Sequence, residues 1–189
     1  MRIIAGEMRS RRLKAPAGMD TRPTADRVKE ALFSILGARV YGARVLDLYA
    51  GSGALALEAL SRGAEYAVLC DCGREACRVI RENIADLGCE QRARLMQMRD
   101  TAALETLKKN GESFDLIFLD PPYRMDTAPV CAAIAEMGLL RAEGVIVAEH
   151  GRETPPGVSA PLTLFDRRQY GAAGLSFYQL QNGEESHEL

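Results

Sequence analysis

Two kinds of hydrophobic pattern alternate along most of the chain. From residue 44 onwards, apolar runs of strand length are followed by longer segments in which apolar residues recur every three or four positions, as on one face of a helix. The alternation predicts a parallel sheet with helices on both faces. The predicted strands are 44–49, 66–71, 92–98, 115–120 and 144–150, and the predicted helices are 53–62, 74–87, 101–109 and 126–138.

The two ends of the chain depart from this alternation. Segments 2–5 and 11–15 are short and extended, which predicts an N-terminal β-hairpin; a helix capped by Thr24 and reaching Leu36 follows an irregular linker. Near the C-terminus, a short glycine-containing connection predicts an antiparallel hairpin. Its strands are 162–169 and 174–180. The predicted units are a hairpin and linker over 1–23, one α/β domain over 24–181 and a disordered tail over 182–189.

The stretch 114–123 carries the most specific chemistry: it reads Phe-Asp-Leu-Ile-Phe-Leu-Asp-Pro-Pro-Tyr. Pro121 and Pro122 have a fixed φ and no N–H, so the strand must end there, in a stiff turn whose carbonyls have no partner in the sheet. Asp120 and those carbonyls can accept hydrogen bonds from a planar amino group, and Tyr123 can stack on the ring that carries it. The pattern indicates an enzyme acting on the exocyclic amine of a nucleobase. The alternative is a strand that simply ends in a Pro-Pro turn.

A glycine-containing turn joins strand 44–49 to the next helix. Gly51 and Gly53 allow a tight turn and the close approach of a ligand to the backbone, and the helix N-terminus offers free N–H groups. The candidate cofactor-binding residues at this turn are Asp47, Ala50, Gly51, Ser52 and Gly53.

Two more acids follow the next strands. Asp71, about 20 residues beyond the glycines, suits the hydroxyls of a ribose. Asp100 is either an acceptor for an adenine amino group or the N-cap of helix 101–109. Because the carboxyl ends of parallel strands meet at one edge of a sheet, we expect these acids to lie near Asp47 and Asp120.

The glycine turn alone also fits a dinucleotide-binding dehydrogenase. Asp47 argues against this interpretation, because a pyrophosphate would arrive beside its carboxylate. A ligand with a sulfonium and an amino-acid tail tolerates that charge. Taken with the Asp-Pro-Pro-Tyr corner, the turn favours S-adenosylmethionine as cofactor and methyl transfer to nitrogen.

Composition narrows the class of protein. With 189 residues, 47% hydrophobic and 26% charged, the chain is expected to form one globular domain. It has no apolar run near the ~20 residues that span a bilayer. Five cysteines without a Cys-x-x-Cys pair indicate reduced thiols and hence a cytoplasmic protein. With only two histidines, we expect no metal site.

The net charge of −2 does not predict nucleic-acid binding, but the charge is unevenly distributed. Glu7 is the only acid among the first fourteen residues. A local basic patch of this kind can bind phosphates, although an ordinary solvated surface is the alternative. The basic residues concerned are Arg2, Arg9, Arg11, Arg12 and Lys14.

Taken together, these motifs resemble the RsmD-type guanine-N2 methyltransferases of bacterial small-subunit ribosomal RNA, which are Rossmann-like class I S-adenosylmethionine-dependent enzymes. The resemblance covers about 1–180. It depends most on Met-Arg-Ile-Ile-Ala-Gly at 1–6 and Thr-Arg-Pro-Thr-Ala-Asp-Arg-Val-Lys-Glu-Ala-Leu-Phe at 21–33. Further matches are Asp-Leu-Tyr-Ala-Gly-Ser-Gly at 47–53, Glu-Ala-Leu-Ser-Arg-Gly-Ala at 58–64, Asp-Pro-Pro-Tyr at 120–123 and Tyr-Gly at 170–171. Departures include Ala56, where the family often has Gly, and Asp71, where Glu is commoner.

The resemblance implies a seven-stranded sheet with an antiparallel last strand and methyl transfer to the N2 amine of a guanine. It implies 16S ribosomal RNA as partner, in a small ribosomal subunit or its assembly intermediate, and a monomeric enzyme. Arg22, Thr24 and Arg27 match a family segment expected to close over cofactor or base. Two other functions stay open: an adenine-N6 methyltransferase acting on DNA or RNA, and a non-catalytic nucleotide- or RNA-binding module.

Overall fold

A computed structural model describes residues 1–17, 23–121, 125–152 and 155–181, with the backbone alone at 23–25. Within these ranges, helices and strands alternate as predicted from the hydrophobic pattern. The helices are α1 (Pro23–Leu36), α2 (Ala54–Ser61), α3 (Arg74–Leu87), α4 (Asp100–Lys109) and α5 (Ala128–Glu136). The strands are β1 (Arg44–Asp47), β2 (Tyr66–Asp71), β3 (Ala93–Gln97), β4 (Phe114–Leu119), β5 (Leu140–Gly151), β6 (Leu162–Tyr170) and β7 (Ala173–Leu180). No helix in these ranges is both long and apolar enough to cross a membrane.

The described strands form one sheet in the order β3-β2-β1-β4-β5-β7-β6. The first five in this order are parallel to their neighbours, and β7 lies antiparallel between β5 and β6. This confirms the predicted seven-stranded, mostly parallel sheet with an antiparallel last strand. Because β1 lies beside β4, the direction of winding reverses between them, and the strand ends there border a crevice.

The sheet has two edges that are defined by the direction of its parallel strands. The carboxyl edge is the one at which β1–β5 end. The turn between β6 and β7, formed by Gly171 and Ala172, lies at the same edge, because Ala173 pairs with Gly151 at the end of β5. The amino edge is the opposite one, at which β1–β5 begin.

Helices cover both faces of the sheet, as the alternation predicted. Val28 of α1, Leu57 of α2 and Ile80 of α3 belong to the hydrophobic cluster on one face. Leu104 of α4 and Ile134 of α5 belong to the cluster on the other. The central strands β1, β2 and β4 are buried on both sides, as expected of parallel strands covered by helices.

The N-terminal segment folds back on itself as the predicted β-hairpin, although its arms do not form regular strands over 2–5 and 11–15. A single antiparallel bridge, between Arg2 and Arg12, joins the two arms. Regular pairing stops because side chains of α2 take the backbone N–H groups instead: Glu58 accepts from Ile4 and Ala5, at 2.8 and 3.0 Å. Met8 also donates to Ser61 Oγ at 3.0 Å.

A buried ion cluster attaches this segment to the domain. Glu58 is fully buried and pairs with Lys29 Nζ at 3.2 Å and Arg62 Nε at 2.8 Å. Lys29 also donates to the Arg2 carbonyl at 2.6 Å. Because a buried charge is stable only when paired and hydrogen-bonded, this cluster fixes the N-terminal segment on α1 and α2.

Several boundaries differ from the predicted ones. α1 begins at Pro23, a favourable first helical residue, so Thr24 lies inside the first turn and is not the N-cap. β1 ends at Asp47, two residues early: Leu48 still donates its N–H to the Phe118 carbonyl of β4, but the chain turns at Leu48 and Tyr49. α4 begins at Asp100, with Arg99 as its N-cap residue. The predicted tail, 182–189, lies outside the described residues.

Candidate active site

Carboxylates occur at the carboxyl ends of five successive sheet positions. Each comes at or just after the end of an apolar strand, where the chain leaves the sheet. They are Asp71 of β2, Asp47 of β1, Asp120 after β4, Glu149 of β5 and Asp100 after β3. The predicted meeting of the four aspartates at one edge is therefore what the structure shows.

The glycine turn is held closed by Asp71. Its Oδ2 accepts the N–H of Gly51 at 2.9 Å, and its Oδ1 accepts that of Gly73 at 2.8 Å. Each carboxylate oxygen keeps a second acceptor direction. Asp71 can thus order the turn and still accept from a bound hydroxyl.

The two glycines of the turn serve different purposes. Gly51 has φ of +57° and lines the cavity described below, where its missing side chain leaves room for a ligand. Gly53 has φ of +80°, and a Cβ there would lie 2.9 Å from Leu69 Cδ2. Gly53 therefore allows α2 to pack on the sheet. Ser52 is buried, with Oγ donating to Met1 Sδ at 3.3 Å, so its side chain faces the N-terminus.

Asp47 lies beneath this turn and is almost fully buried. Its Oδ2 accepts the N–H of Ala56, in the first turn of α2, at 3.3 Å; among the described residues, its Oδ1 has no hydrogen-bond partner. Burial raises the pKa of Asp47 to about 7, despite that hydrogen bond. A buried carboxylate oxygen without a partner favours a positively charged ligand nearby.

A cavity of about 650 Å³ opens between the turn and the Asp-Pro corner. This is within the usual volume for a small-molecule site. Five predicted site residues line it, whereas Asp47, Ala50, Ser52 and Gly53 do not. The lining residues are Pro16, Leu48, Tyr49, Gly51, Asp71, Cys72, Ala76, Met98, Arg99, Asp100, Asp120, Pro121 and Met125.

Asp100 connects the cavity to the start of α4. Its Oδ2 accepts the hydroxyl of Tyr49 at 2.7 Å, and its Oδ1 accepts the N–H of Thr101 at 2.8 Å. A carboxylate here is stabilised by the helix N-terminus. Tyr49 and Met98 add apolar surface beside it, as a flat ring would require.

Asp120 lies where β4 ends, and its neighbour across the sheet is Glu149. Leu119 pairs with Ala148, so the next residue of each strand lies at the same level and on the same face as the other. Burial, followed by the charges of Glu149 and Asp47, raises the pKa of Asp120 well above its usual range. Three carboxyl groups on β1, β4 and β5 thus lie close together at this part of the edge, where burial and mutual repulsion disfavour their ionised forms.

Glu149 was not among the predicted site residues, although its position in the sequence indicates such a role. It follows the apolar run Val145–Ala148, just as Asp47 and Asp120 follow theirs. The other two residues of the Asp-Pro-Pro-Tyr corner, Pro122 and Tyr123, lie outside the described residues.

The predicted RNA-binding residues lie along the side of the domain, away from the cavity. Lys14 pairs with Glu82 at 3.1 Å and Asp86 at 2.9 Å, and Arg11 donates to the Asp86 carbonyl. Asp86 is about 18 Å along α3 from its start at the carboxyl edge. Arg9 and Arg12 are exposed. Arg22 lies outside the described residues.

Asn83 connects that segment to the glycine turn. Its Oδ1 accepts the N–H of Lys14 at 2.9 Å, and its Nδ2 donates to the carbonyls of Lys14 and Ser52 at 3.0 and 2.9 Å. All these hydrogen bonds are to other parts of the protein, the N-terminal segment and the glycine turn, which agrees with a structural role for Asn83.

The sheet order, the glycine turn and the acidic cavity define a class I, Rossmann-like methyltransferase fold. Comparison with known proteins narrows the class. The family model "Conserved hypothetical protein 95" matches residues 1–179, and the chain belongs to this family, that of the RsmD-type methyltransferases.

Similar proteins cover nearly the whole chain. "Putative rRNA methyltransferase YlbH" of Bacillus subtilis is 39% identical over 95% of this chain and 98% of the relative. "Ribosomal RNA small subunit methyltransferase D" of Escherichia coli K12 is 35% identical over 98% and 93%. A solved structure, "Putative methyltransferase yhhF from Escherichia coli", has a TM-score of 0.83 and 34% identity, and covers 96% of this chain and 98% of its own.

Proposed function

We propose that this protein transfers a methyl group from S-adenosylmethionine to the N2 amine of a guanine in small-subunit ribosomal RNA. The observation that carries the proposal is the position of Asp120 and Pro121. They border the cavity formed by Gly51 and Asp71, so an acceptor for an amine lies beside a nucleoside-sized site. The relatives named as ribosomal RNA methyltransferases favour RNA as the substrate.

The residues of the cavity fit S-adenosylmethionine. Asp71 would accept from the ribose hydroxyls, while Tyr49 and Met98 would flank the adenine beside Asp100. The partnerless oxygen of Asp47 suits a ligand that carries a sulfonium and an ammonium group. A dinucleotide would instead place its pyrophosphate among these carboxylates, which disfavours the dehydrogenase alternative.

Asp120 and Pro121 would position the guanine amine. When bound, S-adenosylmethionine supplies a methyl group already activated by its sulfonium, so catalysis is largely alignment. Asp120 and the Pro121 carbonyl would accept from the two N2–H groups and favour a more tetrahedral nitrogen. Asp120 need not be a strong base, because the amine proton becomes acidic only as the new bond forms. Its raised pKa also suits it to hold that proton afterwards.

The guanine must leave its RNA context to reach this site. Enzymes that modify bases turn the target out of its stack and hold it on an aromatic ring, the role we assign to Tyr123. Arg22 and Arg27 would close over the site. Arg9, Arg12 and, less directly, Arg11 and Lys14 would contact RNA phosphates. The enzyme is proposed to act as a cytoplasmic monomer on the small subunit or its assembly intermediate.

The identity of the methylated nucleoside tests the proposal. The protein is incubated with labelled S-adenosylmethionine and small ribosomal subunits that lack their guanine-N2 methylation, and the digested RNA is analysed by mass. N2-methylguanosine is expected. N6-methyladenosine would overturn the substrate and retain the chemistry, whereas bound cofactor without any transfer would favour a binding module.

A further inference from the structure

Two exposed arginines lie at the carboxyl edge on the side of the sheet away from the cofactor cavity. Arg152 directly follows β5, and Arg167 lies near the end of β6. The cavity is bordered by residues that follow β1–β4, so these arginines flank the acceptor side of Asp120.

Their distance from Asp120 follows from the strand register. Asp120 is level with Glu149, three residues before Arg152, so Arg152 lies about 10 Å further out along the strand direction. Arg167 pairs with Ser176, which pairs with Ala148, so it is level with the end of β4 and three strands away, about 14 Å. Arg167 shares the face of Ala148, opposite to that of Asp120, so the phosphate that it binds would lie across the edge from a base held at Asp120.

The hairpin that carries Arg167 is fixed to the end of β5. The N–H of Arg152 donates to the Ala172 carbonyl at 3.0 Å, and Ala173 pairs with Gly151. His150 Nε2 lies 2.8 Å from Ser176 Oγ, which adds a buried link between β5 and β7. The two arginines are therefore presented by one rigid surface.

Neither guanidinium has an ion-pair partner among the residues that the structure describes. Their neighbours in the chain provide a contrast. Arg168 pairs with Asp166 at 3.1 Å, and Arg141, at the start of β5, pairs with Asp115 at 2.9 Å. Successive residues of β6 face opposite sides of the sheet, so Arg167 and Arg168 also point apart.

The charge of the edge gives these arginines a purpose. Asp120, Glu149 and Asp47 bring no positive charge to the reacting centre, so a negatively charged substrate needs attraction from further out. We propose that Arg152 and Arg167 bind phosphates of the RNA on either side of the target guanine and hold the backbone beside the reacting centre. The inference depends on the proposed function, because it takes RNA as the substrate.

A charge-matched pair of double variants tests this surface. Arg152→Ala with Arg167→Ala removes the two proposed contacts. Arg141→Ala with Arg168→Ala removes the same charge from the same two strands, at ion-paired positions. Binding of each protein to small subunits lacking the methylation is measured by filter retention from 50 to 300 mM salt, which requires no catalysis.

The R152A/R167A variant should reduce the slope of log affinity against log salt by about 1.4–1.8, at 0.7–0.9 for each phosphate contact. The control should keep the wild-type slope. Lysines at 152 and 167 should restore most of the slope, because a lysine also neutralises phosphate. In methyl transfer, the alanine variant should raise the KM for subunits several-fold and leave kcat unchanged.

Two results would overturn the inference: an unchanged slope in R152A/R167A, or equal losses in that variant and its control. Unfolding temperatures of all variants establish that both double variants are folded, and the lysine variant covers any local disturbance of the hairpin. If the wild-type protein binds subunits but transfers no methyl group, the proposed function fails while the salt slopes still decide the role of the two arginines.

Discussion

The two edges of the sheet treat charge in opposite ways. At the amino edge, opposite charges pair: Arg94 and Arg44 meet Glu112 at 2.8 and 3.4 Å, and Arg141 meets Asp115 at 2.9 Å. At the carboxyl edge, among the described residues, the four aspartates at the ends of β1–β4 make no ion pair, and neither do Arg152 and Arg167, although Arg168 beside them pairs with Asp166. The difference separates charges that serve the fold from charges held ready for a ligand.

Unpaired charges at one edge cost stability. Burial raises the pKa of both aspartates, with a contribution from Asp71 for Asp47 and from Glu149 and Asp47 for Asp120, so their ionised forms are disfavoured in the folded protein. Sites that are suited to bind a cation or an amine commonly carry this cost. Removing a charge should therefore stabilise the folded protein at the carboxyl edge and destabilise it at the amino edge.

The largest effect on methyl transfer should come from Asp120, at the carboxyl end of β4, and not from Asp115 at its amino end. Asp120→Ala is expected to lower kcat/KM for methyl transfer by at least about 10³-fold, because the amine loses its acceptor, while S-adenosylmethionine still binds. Asp115→Ala, at the other end of the strand, should leave kcat/KM near the wild-type value. Steady-state kinetics with small subunits measures both.

The stability of these two variants sharpens the comparison. Asp120→Ala should unfold at the wild-type temperature or above it, since a disfavoured buried charge is removed. Asp115→Ala should unfold earlier, since Arg141 and the N–H of Arg44 lose their acceptor. Near-normal turnover by Asp120→Ala would contradict the assigned role.

A second contrast concerns burial of a paired charge. Glu58→Ala would leave Lys29 buried without its carboxylate and two backbone N–H groups without acceptors. We expect a loss of about 3–5 kcal/mol in the free energy of unfolding. Glu112→Ala, at the half-exposed amino edge, should cost about 1 kcal/mol. Urea denaturation compares them, and similar losses would mean that the N-terminal segment is not held by Glu58.

Much of this fold is predictable from the sequence, because local periodicity determines it. The central strands β1, β2 and β4 are largely apolar runs between polar turns, and each helix has one apolar face. The N-terminal hairpin could be predicted but not its irregular pairing, because backbone N–H groups of its arms bond to Glu58 and Ser61, more than 50 residues away. Alternation of apolar residues cannot reveal such a partner.

The site was predictable to a similar extent. Strand-end acids and glycines located Asp71, Asp100 and Asp120 correctly at one cavity, because topology alone brings the strand ends together. Ser52 and Gly53 also make packing contacts with Met1 and Leu69, residues that sequence spacing does not connect to them. Ion pairs such as that of Arg168 with Asp166 distinguish a paired arginine from an unpaired one. They likewise cannot be predicted from the spacing of residues in the sequence.

Asp47 predicts a pH dependence of stability. Its pKa is about 3.8 in the unfolded chain and about 7 when folded, so between these values the folded state holds a proton that the unfolded state has lost. The free energy of unfolding should therefore fall as pH rises from 4 to 7, by on the order of 3–4 kcal/mol from this residue, and stay level above. Asp47→Asn keeps an acceptor for Ala56 and should remove that part of the slope. Urea denaturation at pH 5 and 8 measures the free energy of unfolding of both proteins. If the variant lost as much stability between these pH values as the wild type, the pH dependence would not come from Asp47.

The smallest effect is expected at the amino edge. The ion pair of Arg141 and Asp115 is partly exposed, with 44% and 32% of the side chains accessible, so solvent screens it. Arg141→Ala should cost no more than about 1 kcal/mol, and less in 0.5 M salt, while kcat/KM for methyl transfer stays unchanged. Arg152→Ala, in contrast, should leave the free energy of unfolding unchanged and raise the KM for subunits. If both variants behaved alike in both assays, the proposed difference between the two edges would be wrong. If they differ, Arg141 at one end of β5 stabilises the fold and Arg152 at the other end binds the substrate.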